Sequence, residues 1–335
     1  MNDPMLLPRR RLLALLAATA GAALAGPRLV RAATGDKTSA APIRWVPGLQ
    51  LYTLGLKPSD DLAARFKEVA AVGYREVEFP GHYQKSAAEL RRALDAAKLT
   101  APAIHASPRP SNGAWDLEGD LSRLIADMKT LGARYAVASI PRLPDRIYDV
   151  LQHPPTGFDV AAVSKLFSSL EADDWKRSAD LLNEKGALLA RHGLRIAHHN
   201  HGVDFLPLPG DTNGFRILVE RTDPKLVDFE LDIGWAVSAR QELPALFKLL
   251  GDRVKLIHLK DTRHPSDLVM ELASTDAGTG IVKWDEFADL VRHSRVEHLF
   301  VEQEEPFPTT PMDAIKIDYR FLTALFAGHN DGAKK

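Results

Sequence analysis

The chain of 335 residues contains no cysteine. Disulfides, iron–sulfur clusters, thiolate zinc sites and cysteine nucleophiles are therefore excluded. An excess of positive charge is also missing: the formal net charge is −1, and because residues 1–32 contribute five arginines and one aspartate, the rest of the chain carries −5. This mildly acidic part of the chain produces no positive electrostatic field that would attract the phosphate backbone of a nucleic acid. We therefore expect no nucleic-acid partner.

After its N-terminal segment the chain has no hydrophobic run long enough to span a membrane. Residues 8–26 begin with Arg9, Arg10 and Arg11 and continue with about 15 apolar, alanine-rich residues, which is too short for a span. Consecutive arginines before a weakly hydrophobic stretch are typical of twin-arginine export signals. We predict a signal peptide over residues 1–32, with cleavage after Ala32 preferred over Ala25 and an uncleaved anchor as the alternative. The prediction implies the twin-arginine export machinery as a partner, a periplasmic location and no transmembrane span in the mature chain.

The rest of the chain has ordinary globular composition, with 45% hydrophobic and 26% charged residues and no internal repeat. Strand-like runs alternate with amphipathic stretches from residue 41 to 330, which is typical of repeated βα units around a parallel sheet. The predicted strands are Gly48–Tyr52, Glu76–Phe79, Ala101–Ala106, Tyr135–Ile140, Arg195–His199, Val227–Ile233, Val254–Leu259 and His298–Glu302.

A helical pattern follows each predicted strand. The predicted helices are Asp60–Val72 with Ser59 as N-cap, Ala87–Lys98, Leu117–Leu131, Trp175–His192, Gly214–Arg221, Leu243–Leu250, Trp284–His293 and Ala314–Ala327. The long interruption Pro141–Asp174 is expected to carry a short helix at Val160–Leu170. Eight such units predict an α/β fold, a single (β/α)8 TIM barrel over residues 41–330. A doubly wound open sheet is disfavoured, because no glycine-rich phosphate turn follows the first strand.

The last four predicted strands end in ionisable residues. Side chains alternate along a strand, so two ionisable groups from each strand end share one face. The pairs are His199 with His201, Glu230 with Asp232, His258 with Lys260, and Glu302 with Glu304. Imidazole and carboxylate ligands from neighbouring strands suit one divalent ion, Mn²⁺, Co²⁺, Fe²⁺ or Zn²⁺. The pattern therefore predicts a metal site at the C-terminal ends of the strands.

These residues, with several earlier motifs, resemble the xylose isomerase-like barrels, the sugar phosphate isomerase/epimerase group. The motifs are Gly48-Leu49-Gln50-Leu51-Tyr52, Gly73-Tyr74-Arg75-Glu76-Val77-Glu78, His105, His199-Asn200-His201, Leu231-Asp232-Ile233-Gly234-Trp235, His258-Leu259-Lys260-Asp261 and Val301-Glu302-Gln303-Glu304. The resemblance implies one divalent metal held by Glu, Asp, His and Glu from strands five to eight. The last three fall on Asp232, His258 and Glu302, whereas His199 takes the place of the first glutamate. The expected ligands are therefore His199, Asp232, His258 and Glu302.

The histidine at position 199 changes the expected chemistry. Two carboxylates and two imidazoles leave a divalent ion near neutral, which makes it a stronger Lewis acid. The epimerases of this family resemble two-base enzymes, in which metal-bound glutamates lie on opposite faces of the sugar. One of these two bases is missing here. Glu302 remains, and Glu78, Glu304 or His201 are the candidates to act as base instead. Glu230 is expected either to orient a ligand imidazole or to pair with Lys260.

Further residues near the strand ends are candidate substrate ligands. They are Gln50, Tyr52, His105, His201, Trp235, Lys260 and Asp261. For Gln50, Tyr52, His105 and Trp235, ordinary packing is the alternative interpretation.

The sequence favours a metal-dependent isomerase or epimerase that removes a proton next to a carbonyl of a sugar, keto-sugar or keto-glycoside. Elimination from a keto-glycoside, as in a lyase, would use the same site. Export weakens the assignment to sugar phosphates, which are mainly cytoplasmic. A non-catalytic periplasmic carbohydrate-binding protein is a second hypothesis, and a metal-dependent hydrolase or abasic-site nuclease is a third.

Overall fold

The computed structural model describes residues 45–109 and 113–330. The predicted signal peptide and its cleavage sites lie outside the described residues, so export stays a prediction. Among the helices of the described part, none has both the length and the apolar character needed to cross a bilayer.

Eight parallel strands close into a barrel, which confirms the predicted fold. Each strand pairs with its neighbours in chain order, and the last strand pairs with the first. The strands are β1 Gly48–Gln50, β2 Glu76–Phe79, β3 Thr100–Ser107, β4 Tyr135–Ala138, β5 Arg195–His199, β6 Val227–Asp232, β7 Val254–Leu259 and β8 His298–Val301. β1 is shorter than predicted, because the chain turns into a 3-10 helix at Leu51–Leu54. Tyr52 therefore lies on this turn and not on the strand.

Helices pack around the strands. They are α1 Leu62–Val72, α2 Ala87–Ala97, α3 Ser122–Leu131, α4 Asp145–Gln152, α5 Val160–Phe167, α6 Ala172–Ala190, α7 Gly214–Arg221, α8 Ile233–Ser238, α9 Leu243–Leu250, α10 Trp284–Arg292 and α11 Pro311–Asn330. Asp61, and not Ser59, caps α1, since its side chain accepts a hydrogen bond from the Ala64 amide. The interruption before α6 carries two helices, α4 and α5, where one was predicted. The helix predicted from Leu117 begins only at Ser122, because the preceding Trp115–Asp116 pairs with the end of β3.

Two apolar clusters form the core. The larger one fills the space between strands and helices. The smaller one contains Ala103, Tyr135, Val137, Ala197, Leu256 and Phe300. Several of these residues lie two positions before an ionisable side chain of the same strand, so alternation places them inside the barrel. The barrel interior is thus apolar towards the N-terminal ends of the strands, which we call below, and ionisable towards their C-terminal ends, which we call above.

Candidate active site

Four buried side chains meet inside the barrel at the C-terminal ends of β5 to β8. His199, Asp232, His258 and Glu302 each offer one donor atom, and these four atoms lie within 4.8 Å of one another. Asp232 and His258 are paired residues in the register of β6 and β7. The sequence prediction named this set, and we call it the ligand set.

The spacing of the ligand set fits one divalent ion. His258 Nδ1 lies 2.7 Å from Glu302 Oε2 and 3.8 Å from Asp232 Oδ2, and His199 Nε2 lies 3.9 Å from the same Asp232 oxygen. Ligands about 2.0 to 2.2 Å from one ion are about 3 to 4 Å apart. Imidazole nitrogen and carboxylate oxygen also suit Mn²⁺, Co²⁺, Fe²⁺ and Zn²⁺. The donor set is thus compatible with the predicted metal, and its occupant stays a prediction.

Below the ligand set, towards the apolar floor, Glu230 contacts three imidazoles. Its Oε2 lies 3.0 Å from His199 Nδ1, 3.1 Å from His258 Nε2 and 3.2 Å from His105 Nε2. Hydrogen bonds from these nitrogens orient the two rings so that His199 Nε2 and His258 Nδ1 point towards Asp232 and Glu302. Of the two roles predicted for Glu230, the geometry favours orienting the imidazoles over pairing with Lys260.

Glu78 holds His258 from the same side. Its Oε2 lies 2.6 Å from His258 Nε2, on the opposite edge of the ring from Glu302, and accepts a hydrogen bond of 2.8 Å from Gln50 Nε2. Glu78 is fully buried beneath the imidazole. This position favours a positioning role for Glu78, whose Oε1 has no hydrogen-bond partner among the described residues.

Gln50 and His105 complete this region. Gln50 Oε1 accepts a hydrogen bond from the Tyr52 amide, so both ends of its side chain are engaged within the protein. The His105 ring stacks parallel to that of His258, with centroids 5.6 Å apart, and its Nε2 lies between Glu78 and Glu230. The structure therefore places two predicted substrate ligands among positioning groups. We refer to Gln50, Glu78, His105 and Glu230 as the lower layer.

Above the ligand set lies a buried ammonium group. Lys260 Nζ is 2.9 Å from Asp232 Oδ2, 2.9 Å from Glu302 Oε2 and 2.7 Å from Glu304 Oε1. Its side chain is 1% exposed, whereas that of Glu304 is 18% exposed. Burial alone would lower the pKa of Lys260, but the three carboxylates outweigh it and raise that pKa well above its usual range. Lys260 is therefore charged at neutral pH.

His201 and Trp235 border the same space. Their rings lie 5.3 Å apart, and Lys260 Nζ lies 5.6 Å from the Trp235 ring centroid. His201 Nδ1 and Trp235 Nε1 are buried and have no hydrogen-bond partner among the described residues. Burial, helped by nearby Lys260, lowers the pKa of His201 to about 4, so the ring is neutral. We refer to His201, Trp235, Lys260 and Glu304 as the upper layer.

Asp261, a predicted substrate ligand, binds the protein itself. Its two oxygens accept hydrogen bonds from the amides of Thr262, Gly278, Gly280 and Val282 and from Trp284 Nε1. β7 ends at Leu259, so the alternation that orients Lys260 does not extend to its neighbour. Substrate binding by Asp261 stays a prediction, and these contacts disfavour it. Asp261 instead holds the loop after β7 in place, and its carboxylate is fully occupied.

Three polar residues that position the site were not among the predicted ones. Asn200 exchanges two hydrogen bonds with the Asp232 backbone, of 3.0 and 3.1 Å. Asp204 accepts from the His201 amide at 3.0 Å and lies 2.6 Å from His198 Nε2. The His-Asn-His run was the available signal, because three polar residues in a row at a buried strand end need internal partners.

The site carries an excess of buried negative charge. Glu78, Glu230, Asp232 and Glu302 are buried carboxylates, and Lys260 is a buried ammonium group beside them. Burial would lower the pKa of His258, but Glu230, Glu302 and Glu78 outweigh it and raise that pKa well above its usual range. Burial would lower the pKa of His105, but Glu78 and Glu230 outweigh it and raise that pKa to about 9. Burial and the neighbouring imidazoles lower the pKa of His199 well below its usual range, which keeps it neutral. With His105, His258 and Lys260 positively charged, one of the four buried carboxylates remains without a counter-charge, and a bound cation would supply it.

The sequence pattern of the xylose isomerase-like TIM barrel family matches residues 66–325. An inosose dehydratase of Bacillus anthracis is 30% identical over 151 residues, which are 41% of this chain and 49% of the relative. The chain thus spans about half the length of the curated relatives it matches.

Solved structures share the fold. A sugar phosphate isomerase/epimerase from Parabacteroides distasonis is 21% identical, with a TM-score of 0.64 over 86% of this chain and 97% of that one. A protein named IOLI, solved with zinc bound, is 16% identical, with a TM-score of 0.59 over 84% of this chain and 98% of that one. Because the family pattern covers most of the barrel, the chain belongs to the xylose isomerase-like TIM barrel family.

Proposed function

We propose that this protein is a metal-dependent enzyme that removes a proton next to the carbonyl of a sugar, keto-sugar or keto-glycoside. The observation that carries the proposal is the ligand set, four donors within 4.8 Å of one another on four successive strands. Above it, the upper layer offers polar atoms that the described residues leave without partners. A site that combines metal ligands with unpartnered hydrogen-bonding groups suits a polyhydroxylated substrate.

The bound ion would polarise the substrate carbonyl and its neighbouring hydroxyl. The ammonium of Lys260 faces the same space and would donate a hydrogen bond to the oxygen on which negative charge develops. Glu304 is the carboxylate that we assign as base, because it is the most exposed of the cluster and lies outside the ligand set. Its contact with Lys260 orients its carboxylate. The open Nδ1 of His201 and Nε1 of Trp235 would bind substrate hydroxyls.

Elimination is the second candidate outcome in this site. One relative is named inosose dehydratase, and a dehydratase removes water. His199 stands where the first glutamate of the family's ligand set is expected, so a single base suits isomerisation or elimination better than symmetric epimerisation. Isomerisation returns the proton to one face, whereas elimination expels a group from the neighbouring carbon.

The ligand set is tested by metal analysis of the purified mature protein. Asp232→Ala and His258→Ala should lose the metal, because each removes a ligand and leaves buried charge uncompensated. His298→Ala is the matched control, since His298 pairs with Glu76 at the other end of the barrel, 2.8 Å away. Unchanged metal content in both ligand variants would refute the site.

The reaction is tested by product analysis in D₂O with inosose, a 3-keto-glucoside and plain hexoses. A shifted carbonyl indicates isomerisation, and an unsaturated ketone indicates elimination. Inversion at one deuterated carbon would show that a second base operates. Saturable sugar binding without turnover of any substrate would support the alternative, a carbohydrate-binding protein.

We also propose export in the folded state. The motivation is Arg9, Arg10 and Arg11 before a weakly hydrophobic stretch. Replacing all three with lysine should retain the precursor in the cytoplasm, as measured by cell fractionation. Normal periplasmic accumulation of that variant would instead indicate export of the unfolded chain.

A further inference from the structure

The ammonium group of Lys260 contacts two of the candidate metal ligands. Its ammonium is 2.9 Å from Asp232 Oδ2 and 2.9 Å from Glu302 Oε2. A cation removed from water needs carboxylate partners, and two of the three partners of Lys260 belong to the ligand set. The proposed metal and the lysine therefore use the same two carboxylates.

Two cations that bind the same carboxylates compete for them. The two positive charges also repel each other strongly when they are a few ångströms apart inside a protein. Glu304 gives the lysine a separate partner, because its Oε1 lies 2.7 Å from Nζ and is not part of the ligand set. The flexible stem of a lysine allows the small shift from shared carboxylates to Glu304.

We propose that Lys260 is an internal counter-cation of the metal site. Its ammonium neutralises Asp232 and Glu302 before the metal binds and retreats to Glu304 when the metal takes these carboxylates. The inference rests on the proposed metal-dependent function. It gives Lys260 two effects besides substrate binding: the lysine stabilises the protein before metal is loaded, and it weakens metal binding so that the ion remains exchangeable.

The test compares Lys260→Met with the wild-type mature protein after chelator treatment. Methionine keeps a long side chain but removes the charge. We expect Lys260→Met to bind Mn²⁺ about tenfold or more tightly in calorimetric titration, because the competing cation is gone. The chelator-treated variant should melt at a lower temperature than chelator-treated wild type, since its carboxylates lack a partner. Saturating Mn²⁺ should remove most of that difference.

Two variants control for charge and for general effects of removing a buried lysine. Lys260→Arg keeps the positive charge and should retain nearly the wild-type affinity for Mn²⁺. Lys185→Met removes another buried lysine, one that contacts Glu184 and the Gly119 carbonyl away from the ligand set. It should lower the melting temperature without changing Mn²⁺ affinity.

The outcomes separate this inference from the proposed function. If wild type binds no Mn²⁺ or Zn²⁺, the metal-dependent function fails and the inference fails with it. If wild type binds Mn²⁺ but Lys260→Met binds it equally or more weakly, only the inference is overturned. Lys260→Gln is measured in parallel, so that a folding defect of the methionine variant does not decide the result. A variant that folds only with Mn²⁺ present would support the inference.

Discussion

The lower and upper layers lie on opposite sides of His199 and His258, and they differ in what their side chains contact. In the lower layer, Gln50 is engaged at both ends and Glu230 contacts three imidazoles. In the upper layer, His201 and Trp235 each leave a buried polar atom without a partner among the described residues. Buried polar atoms normally find partners. Glu78 Oε1 and Glu230 Oε1 in the lower layer lack a partner as well, but each of these side chains contacts a ligand imidazole through its Oε2. The comparison therefore favours an orienting role for the lower layer and substrate binding for the upper layer.

The largest effect is expected in the upper layer, from Glu304→Gln. If Glu304 is the base, its loss should reduce kcat by about 10²–10⁴, the usual contribution of a general base. At saturating Mn²⁺ the variant should still hold metal, because the ligand set is intact. Steady-state rates and metal content are measured together, and Glu242→Gln, at an exposed surface position, is the control. A nearly unchanged rate would remove Glu304 from the chemistry.

The next effect is expected in the lower layer, from Glu230→Gln. The amide places an NH₂ group near imidazole nitrogens that now share a carboxylate, so the orientation of His199 and His258 is less well fixed. Loss of such an orienting carboxylate lowers metal affinity by about 10 to 100-fold. Glu76→Gln is the matched control, because Glu76 makes an equivalent contact with His298 outside the site. Wild-type Mn²⁺ affinity in Glu230→Gln would contradict the orienting role.

Much of the barrel followed from the sequence. β2, β5 and β7 have their predicted bounds, as do α7 and α9, because their apolar residues repeat with a clear period and turn residues flank them. The errors fall where side-chain chemistry overrides the period. Asp61 competes with Ser59 for the same cap. Trp115–Asp116 pairs with the end of β3, and the helix predicted from Leu117 begins only at Ser122.

The candidate site was predictable in membership but not in roles. Alternation along each strand placed the ligand set inside the barrel. It could not show that Glu78 on β2 reaches across the barrel to His258 on β7, because that contact depends on barrel closure and on the height of each residue. Nor could it show that Lys260 shares its carboxylate partners with the ligand set. Contacts across a closed sheet are set by tertiary geometry, which a local sequence pattern does not contain.

Asp261 sharpens the comparison, because it follows Lys260 of the upper layer in the chain but accepts hydrogen bonds within the protein through both of its oxygens. Asp261→Asn replaces one acceptor oxygen with a donor that faces backbone amides. Leaving two or three buried donors unpaired should destabilise the fold by about 3 kcal/mol. Chemical denaturation measures this loss, and Asp252→Asn on the surface is the control. A raised KM with unchanged stability would show that Asp261 binds substrate after all.

The smallest effect is expected from Glu78→Gln, and this variant tests the comparison most directly. Glutamine keeps an acceptor oxygen for His258 Nε2, and Glu230 lies 3.1 Å from the same nitrogen. We therefore expect metal affinity and kcat to fall by about tenfold or less, the scale of one hydrogen bond. Mn²⁺ titration and steady-state kinetics are measured on the same preparation as Glu304→Gln. If Glu78→Gln instead loses 10²-fold or more in kcat while its metal affinity is unchanged, a lower-layer carboxylate exchanges protons with the substrate. The ligand set would then be open from below, and contact with a ligand imidazole would no longer distinguish an orienting side chain from a reacting one.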